Sequence, residues 1–199
     1  MSKDFYTAVK ERRTIYGIGK ESPVSEDRIQ QIVNEAVLHA PTAFNSQSGR
    51  VVVLSGASHD KLWDLTKEEL RKIVPAENFS STEDKIISFK NGYGTVLFFE
   101  DQSVIESLQK QFSLYKDNFP VWSLEASGML QYIVWTSLEI EGLGASLQHY
   151  NPLIDAEVAK QWHIPPNWKL LAQMPFGKPV AQPDAKQFQS LETRVKFFK

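Results

Sequence analysis

Residues 41–50 carry the groups best suited to binding a ligand, and they lie between an amphipathic helical pattern and an apolar run at 51–54. Asn45, Ser46 and Gln47 offer amide and hydroxyl groups but none that titrates near neutral pH. Such groups suit the hydrogen-bonding edge of a flat, uncharged ligand better than acid–base catalysis. A polar loop between a helix and a buried strand is where α/β folds often bind ligands. An ordinary connecting loop is the alternative interpretation.

Basic side chains occur in pairs near both ends of the chain. Arg12 and Arg13 end the first predicted helix and are followed by the hydroxyl of Thr14. An arginine fork can bind phosphate oxygens through two parallel hydrogen bonds. Arg194 and Lys196 are two residues apart, so in a strand they would face the same side. The two pairs could converge on one phosphate, or all of these charges could be solvated at the surface. Lys85 and Lys90 form a third basic spot.

The chain lacks the residues that several common types of catalysis require. There is no cysteine, which excludes thiolate nucleophiles, disulfides and cysteine-ligated metal sites. The histidines share no metal-ligand spacing, and neither a nucleophile elbow nor a His-Glu-x-x-His motif is present. Gly17-x-Gly19-Lys20 does not complete a phosphate loop, and Gly142-x-Gly144 does not complete a dinucleotide fingerprint. The sequence therefore predicts no metal site and favours neither hydrolysis nor metal catalysis.

The composition is typical of a soluble globular protein, which we expect to form a single domain over residues 1–199. Hydrophobic residues make up 42% of the chain and charged residues 23%. The net charge of −2, with no long basic run, argues against nucleic acid as a partner. No stretch approaches the roughly 20 apolar residues of a membrane span, and the N-terminus lacks the apolar core of a signal peptide. We therefore expect a cytoplasmic protein with no membrane partner.

Hydrophobic periodicity and capping residues predict strands separated by helices, the pattern of a mixed α/β or α+β fold. The clearest helix follows the N-cap residue Ser25 and keeps its apolar spacing to Val37. A first helix runs from Asp4 to about Glu11. Further helices are predicted from Ser58 or Asp60 to Ile73 and at 85–90, 103–115, 122–141 and 155–163. Strands are predicted at 51–55, 94–99 and 168–176, an extended piece at 145–150, and a loop or weak turn at 75–84.

Two features predict a second subunit. The helix at 122–141 is apolar on more than one side, so it needs two packing partners. Residues 192–198 alternate polar and apolar side chains like an edge strand but have no local partner. A strand exchanged between the subunits of a dimer would give this segment its partner.

Taken in order, these motifs resemble the nitroreductase family of FMN flavoproteins. The order is Arg-Arg-Thr near the N-terminus, Pro-Thr-Ala-Phe-Asn-Ser-Gln after the second helix, Gly-Leu-Gly after the long helix and a basic pair near the C-terminus. Segments 92–101, 119–123 and 147–152 resemble the short branch of that family found in bacteria and fungi. The chain has Ser48-Gly49 where many members have Pro-Trp, so substrate preference does not transfer from the longer enzymes.

The resemblance implies an α+β fold in which helices flank a central, mostly antiparallel sheet. It also implies a homodimer that exchanges its C-terminal strands and binds two FMN molecules at the subunit interface. The implied contacts are Arg12, Arg13, Thr14, Arg194 and Lys196 for the phosphate and ribityl chain; Asn45, Ser46, Gln47, Lys85 and the backbone of Leu147, Gln148 and His149 for the flavin; and Trp122 and Met129 for the walls of the substrate pocket.

By the same resemblance, NADH or NADPH gives a hydride to flavin N5, and a nitroaromatic or quinone then takes the electrons. No side-chain nucleophile is needed, which agrees with the absence of cysteine and of a histidine-based site. Two other classes remain open at this point. One is an FMN-binding stress or regulatory protein with little turnover, and the other is a flavin-free structural homodimer.

Overall fold

The computed structural model describes residues 3–199, in which helices pack on both faces of one sheet. The helices are α1 (Phe5–Glu11), α2 (Glu26–His39), α3 (Gly56–Arg71), α4 (Phe79–Lys90), α5 (Gln102–Gln111), α6 (Phe119–Ile140) and α7 (Asp155–Trp162). The strands are β1 (Ile18–Gly19), β2 (Gly49–Ser55), β3 (Gly94–Asp101), β4 (Gly144–Ala145) and β5 (Trp168–Pro179). Short 3-10 turns occupy Ala43–Asn45, Ala76–Asn78 and Ser113–Tyr115.

The strands pair antiparallel in the order β1-β5-β3-β2, and β4 also pairs with β5. The central strand β3 is buried along its whole length. Its register places Gly94 opposite Ser55 and Phe176 at one end, and Glu100 opposite Gly49 near the other. The predicted fold, an α+β arrangement with helices around a mostly antiparallel sheet, is confirmed.

Alternating side chains of β3 belong to two cores. Val96 and Phe98 pack with residues of α2 and α6, whereas Leu97 and Phe99 pack with residues of α3, α4 and α7. Because successive side chains of a strand point to opposite faces, β3 contributes to both cores at once. The residues at the two ends of β3 are therefore held in place by packing above and below the sheet.

Three helices begin two or more residues earlier than the sequence predicts, and one of them is α6, which begins at Phe119 instead of residue 122. α3 begins at Gly56, before the predicted capping residues. α4 begins at Phe79, so the prediction of a loop or weak turn at 75–84 was wrong from residue 79 onwards, whereas the 3-10 turn Ala76–Asn78 agrees with it. The polar residues 80–84 occupy the outer side of a helix whose buried side consists of Phe79, Ile86 and Phe89. Between Phe79 and Ile86 every residue is polar, so this stretch lacks the repeated apolar positions that identify a helix in a sequence.

β5 continues through Pro175 and Gly177, where the sequence predicted its end. The Pro175 carbonyl accepts a hydrogen bond from the Ser146 amide at 3.2 Å, so the strand keeps a neighbour although proline has no N–H. A Cβ at Gly177 would collide with the Gly19 carbonyl oxygen, so the missing side chain allows β1 to approach. Both residues interrupt the sequence pattern of a strand without interrupting the strand.

Residues 180–199 are largely exposed and contain no strand. The segment predicted as a strand, 192–198, is therefore not one within a single chain, and the Arg194 amide instead donates to the Leu191 carbonyl in a turn at 2.9 Å. Phe197 and Phe198 at its end are 89% and 90% exposed. The exchange of this tail between subunits stays a prediction.

His59 is buried in a hydrogen-bonded trio with Thr95 and Trp63. Its Nε2 lies 3.2 Å from the Lys90 carbonyl oxygen and must carry the proton, so Nδ1 accepts from the Thr95 hydroxyl at 2.9 Å. The Trp63 indole N–H donates to the same Thr95 oxygen at 3.0 Å. Burial lowers the pKa of His59 below its ordinary value, because a charged imidazole there would lose its hydration.

We expect acid to destabilise the protein through His59. The folded state keeps this imidazole neutral while the unfolded chain protonates it, so the free energy of unfolding should fall as the pH drops below the ordinary histidine pKa of about 6.5. Denaturant titrations on either side of that pH measure the decline, and His59→Gln should reduce it. His39→Gln, at an exposed helix end, is the control. An equal decline in wild type and His59→Gln would contradict this assignment.

Candidate functional site

Arg12, at the C-terminal end of α1, carries a buried donor that no acceptor within residues 3–199 uses. Its guanidinium carbon lies 4.4 Å from the ring centroid of Trp135 in α6, a cation–π contact that holds the side chain in place. The Arg12 Nε is buried, and it has no hydrogen-bond partner within residues 3–199. Leaving a charged donor buried without an acceptor is costly. This atom therefore indicates a ligand or partner with acceptor oxygens.

The segment after α1 lies beside the segment that contains Leu147 to His149. Thr14 forms a parallel bridge with Ala145, and the Ile15 amide donates to the Ala145 carbonyl at 2.9 Å. These two contacts bring together two stretches that the sequence predicts to share one site, although more than half of the chain separates them.

The three residues of the second stretch differ in their free backbone groups. The Gln148 amide donates to the Gln173 carbonyl at 2.7 Å and its carbonyl accepts from the Gln173 amide at 2.9 Å, so its backbone is not open to a ligand as the resemblance implied. Its side chain donates to the Ser146 hydroxyl at 3.0 Å. The amides of Leu147 and His149 have no backbone partner in the part of the chain that the structure describes. Those two amides remain available for a ligand.

Lys85 lies on α4 near the segment that follows α1. Its Nζ is 6.0 Å from the centre of the Phe89 ring, and that ring is 6.0 Å from the ring of Tyr16. Lys90 is different, because it bonds both carboxylate oxygens of Asp64 at 2.6 and 2.7 Å. Lys90 is therefore already paired within the chain, and Lys85 stays the predicted cation of the site.

Arg13 faces other surroundings than Arg12. It lines a cavity of about 390 Å³ together with Lys10 and Lys186, so part of the C-terminal segment does reach the end of α1. The predicted basic pair, Arg194 and Lys196, lies further along the exposed tail and does not line this cavity. A single chain therefore does not bring that pair to the arginines.

Residues 41–50, called the binding loop below, have an unusual backbone shape. Asn45 and Gln47 have positive φ angles of 50° and 48°, a conformation that few residues other than glycine adopt. The Asn45 amide donates to the Thr42 carbonyl at 3.1 Å, and the Gln47 amide donates to the Thr42 hydroxyl at 3.2 Å. Arg50 donates to the Gln47 carbonyl at 2.7 Å. These contacts fix the loop with the side chains of Asn45 and Gln47 exposed.

Arg50 is anchored in turn by Asp101. The Arg50 Nη2 lies 2.9 Å from the Asp101 carboxylate, which also accepts from the Ser103 hydroxyl and the Asn167 amide, each at 2.6 Å. Burial opposes ionisation of Asp101, but the hydrogen bonds from Ser103 and Asn167 and the charge of Arg50 outweigh it and lower its pKa. An ionised carboxylate therefore holds the arginine that holds the binding loop. No local pattern in the sequence indicates this pair, because the two residues meet only through the pairing of β2 with β3.

An aromatic cluster borders the binding loop and includes the predicted pocket residue Trp122. Phe44, in the loop, lies over Trp122 with ring planes 20° apart and centres separated by 6.0 Å. The regular spacing of Phe112, Tyr115, Phe119 and Trp122 along the chain was the missed signal, although these residues lie at the end of α5, in the 3-10 turn Ser113–Tyr115 and in the first turn of α6. The other rings within 6 Å of Phe44 are Phe112, Tyr115 and Phe119. Met129, the second predicted pocket residue, is 42% exposed on α6.

A groove of about 580 Å³ runs between α2, the binding loop and α6. Val37, Ala126 and Leu130 supply much of its apolar wall, and Thr42 and Gln47 supply polar groups. A largely apolar groove with a few polar groups is typical of sites for small planar molecules.

Within one chain, the two parts of the predicted site lie at opposite ends of the sheet. The binding loop leads into β2 at the end where Glu100 lies, whereas Thr14 bridges to Ala145, which pairs with Phe176 next to Gly94. Gly94 and Glu100 are separated by about 20 Å of strand at roughly 3.3 Å per residue. One chain does not assemble the whole site.

Two further possibilities, a metal site and a membrane-spanning helix, find no support in residues 3–199. No group of three or more histidine, aspartate or glutamate side chains in this range is arranged to hold a metal ion. None of the helices in the same range is both long and apolar enough to cross a membrane.

Known proteins match both the sequence and the fold. The model of the nitroreductase family matches residues 9–178. Nitroreductase FRM2 of Saccharomyces cerevisiae is 34% identical over 187 residues, 93% of each chain. Nitroreductase CinD from Lactococcus lactis, solved in complex with chloramphenicol and with 4-nitrophenol, is 45% identical with a TM-score of 0.90 over 98% of this chain and 100% of that one. A nitroreductase with bound FMN from Desulfitobacterium hafniense, 16% identical, shares the fold with a TM-score of 0.71 over 100% of both chains.

The fold and these matches define an oxidoreductase domain. The chain belongs to the nitroreductase family, as its motifs predicted.

Proposed function

We propose that the protein is an FMN-dependent oxidoreductase that takes electrons from NADH or NADPH and passes them to a nitroaromatic or quinone. The observation that carries this proposal is the buried, unpartnered Nε of Arg12, two residues before the Thr14 bridge. A phosphate would supply both the missing acceptor and the opposite charge. FMN is bound in the D. hafniense relative, and CinD was solved with the nitroaromatic 4-nitrophenol.

The side chains of this protein fit FMN without any nucleophile. Arg12 and Arg13 would bind its phosphate, and Thr14 would bind its ribityl chain. Lys85 adds a positive charge at the same end of the sheet, where it would stabilise the negative charge of the reduced ring. FMN, when bound, supplies the group that accepts and donates hydride. The role of the protein is to bind and orient the cofactor and the substrates and to exclude water from them.

The separation of the two half-sites supports a homodimer in which each FMN contacts both subunits. The exposed apolar surface supports the same arrangement, since Leu38 on α2 and Val121 and Leu124 on α6 are 72%, 53% and 56% exposed. Large apolar side chains grouped on a surface mark interaction sites. In the dimer, Asn45 and Gln47 of one subunit would reach the FMN held by Arg12 of the other.

The aromatic cluster next to the binding loop supports a planar aromatic acceptor. Phe44 and Trp122 present ring surfaces against which a nitroaromatic or quinone can stack, and stacked rings add to the gain from burial alone. The groove beside them gives such a molecule room.

An FMN-binding protein with little turnover is the second candidate, because every residue named for FMN would serve it equally well. The absorption spectrum of the purified protein separates these functions. We expect a yellow protein that bleaches when NADH or NADPH is added without oxygen and regains its colour with a quinone. A yellow protein that neither nucleotide bleaches would favour the second candidate. A colourless protein that takes up no added FMN would refute both.

A further inference from the structure

Glu100 is a buried carboxyl at the end of β3, one residue before Asp101. It is 1% exposed, and neither carboxyl oxygen has a hydrogen-bond partner within residues 3–199. By the alternation of β3 it faces the same side as Phe98, towards α6. Its neighbour across the sheet is Gly49, where a Cβ would lie only 3.2 Å from a Leu130 methyl group. The carboxyl thus lies in a closed space beneath α6 and beside the start of β2.

The surroundings of Glu100 favour its protonated form. Burial raises its pKa, and this outweighs the Ser48 hydroxyl and the charge of Arg50, which lower it. Arg50 is already bonded to Asp101, whose own charge adds to the rise. α6 brings no charge to its buried side, and Lys169, opposite on β5, is exposed. An ionised carboxylate in this place would lack the partners that buried charges require.

Two hydroxyl groups connect this carboxyl with the binding loop. Ser48 is fully buried and lies next to Glu100, close enough to favour its ionised form although short of a full hydrogen bond. The Ser48 and Ser46 hydroxyl oxygens are 3.4 Å apart. Ser46 is part of the exposed turn that contains Asn45 and Gln47. A hydroxyl can accept and donate at once, so the two serines can pass a proton between the carboxyl and the loop.

We propose that Glu100 is a proton donor that acts through Ser48 and Ser46 on the acceptor bound at the binding loop. This rests on the proposed function, which places the flavin and the acceptor against that loop. The reduction of a quinone to a hydroquinone takes two electrons and two protons. NADH or NADPH supplies both electrons and one of the protons together as a hydride, by way of the cofactor. Glu100 supplies the second proton and regains one from solvent.

In a site that excludes water, a protonated carboxyl can supply the proton that solvent does not. The acceptor becomes an anion when it receives a hydride, and a positioned acid prevents that charge from building up. General acid catalysis of this kind contributes on the order of 10²- to 10⁴-fold in rate. Nitroaromatics need protons in the same way, because one oxygen leaves as water and the other can remain as a hydroxyl group.

The first arm of the test is read on the flavin-free protein. Infrared difference spectra at neutral pH should show the carbonyl band of a protonated carboxyl that is lost in Glu100→Gln. Ser48→Ala should retain this band at a shifted position, because the carboxyl keeps its proton but loses its neighbour. The absence of any band that depends on Glu100 would show an ionised carboxylate and overturn the proposal.

The second arm follows the two half-reactions separately by rapid mixing. In Glu100→Gln, reduction by NADH or NADPH should keep its wild-type rate, while reoxidation by a quinone should slow on the order of 100-fold. The wild-type reoxidation rate should fall as the pH rises through the pKa of Glu100, and this dependence should vanish in the variant. Ser48→Ala should also slow reoxidation. Asp155→Asn removes another carboxyl, half-buried and outside the site, whose pKa burial raises, and should match wild type.

The outcomes separate this proposal from the proposed function. Wild-type reoxidation in both Glu100→Gln and Ser48→Ala, with normal reduction by the nucleotide, would overturn the proton path and leave the oxidoreductase function standing. A wild-type protein that binds no FMN would overturn both. Slow reoxidation in both variants, with the infrared band lost only in Glu100→Gln, would support the path.

Discussion

Replacing Arg12 by alanine is expected to weaken FMN binding on the order of 10- to 100-fold, since a charge-assisted hydrogen bond contributes about 1.5–3 kcal/mol. The buried Nε has no acceptor in the described chain, so its loss removes a contact with the ligand but no hydrogen bond of that atom within the protein. The change also removes the cation–π contact with Trp135. Titration of the flavin-free protein with FMN, followed by quenching of flavin fluorescence, measures the change. An unchanged dissociation constant would refute the phosphate assignment.

Two further variants identify the cause of any loss. Arg12→Lys keeps the positive charge and part of the packing on Trp135 but loses the planar fork, so we expect intermediate affinity. Arg71→Ala removes an exposed arginine paired with Glu83, away from the site, and should bind FMN like wild type. The flavin-free variants should unfold at similar denaturant concentrations. A large loss of stability in Arg12→Ala alone would indicate a structural role.

The elements that were predicted well are those whose capping residues and apolar spacing lie within the element itself. α2 begins after Ser25, whose hydroxyl accepts from the Arg28 amide, and its apolar residues keep one spacing throughout. Elements whose signals are not local were missed in part. Nothing near Pro175 in the sequence shows that Ser146 will bond its carbonyl, and nothing near Gly177 shows that β1 requires it to be small.

The same distinction applies to the candidate site. Arg12, Thr14 and Asn45 could be named from the sequence because short motifs carry them. The residues that support the site could not, because they meet only through the fold. Arg50 reaches Asp101, and Ser48 lies next to Glu100, through a register that pairs Gly49 with Glu100 and that no local pattern fixes.

The position of the two half-sites at opposite ends of the sheet leads to a prediction about mixed dimers. Arg12→Ala alters one half-site, and the double change Asn45→Gly with Gln47→Gly alters the other. Glycine accepts the positive φ angles of these two positions, so the double change removes side-chain contacts without straining the loop. If each FMN contacts Arg12 of one subunit and the binding loop of the other, both altered homodimers should bind FMN weakly. A mixed dimer of the two altered chains should regain one intact site.

The matched control places the same three substitutions in one chain and pairs it with a wild-type chain. In a shared site, that dimer has one defect at each site, so it should bind FMN weakly at both. Two different affinity tags purify each mixed dimer, and the FMN bound per dimer is read from its absorbance. If each chain built its whole site alone, the results would reverse, because the triple-substituted chain would leave the wild-type site intact. That reversal would refute the shared site, and with it the contact of Asn45 and Gln47 with the partner's flavin.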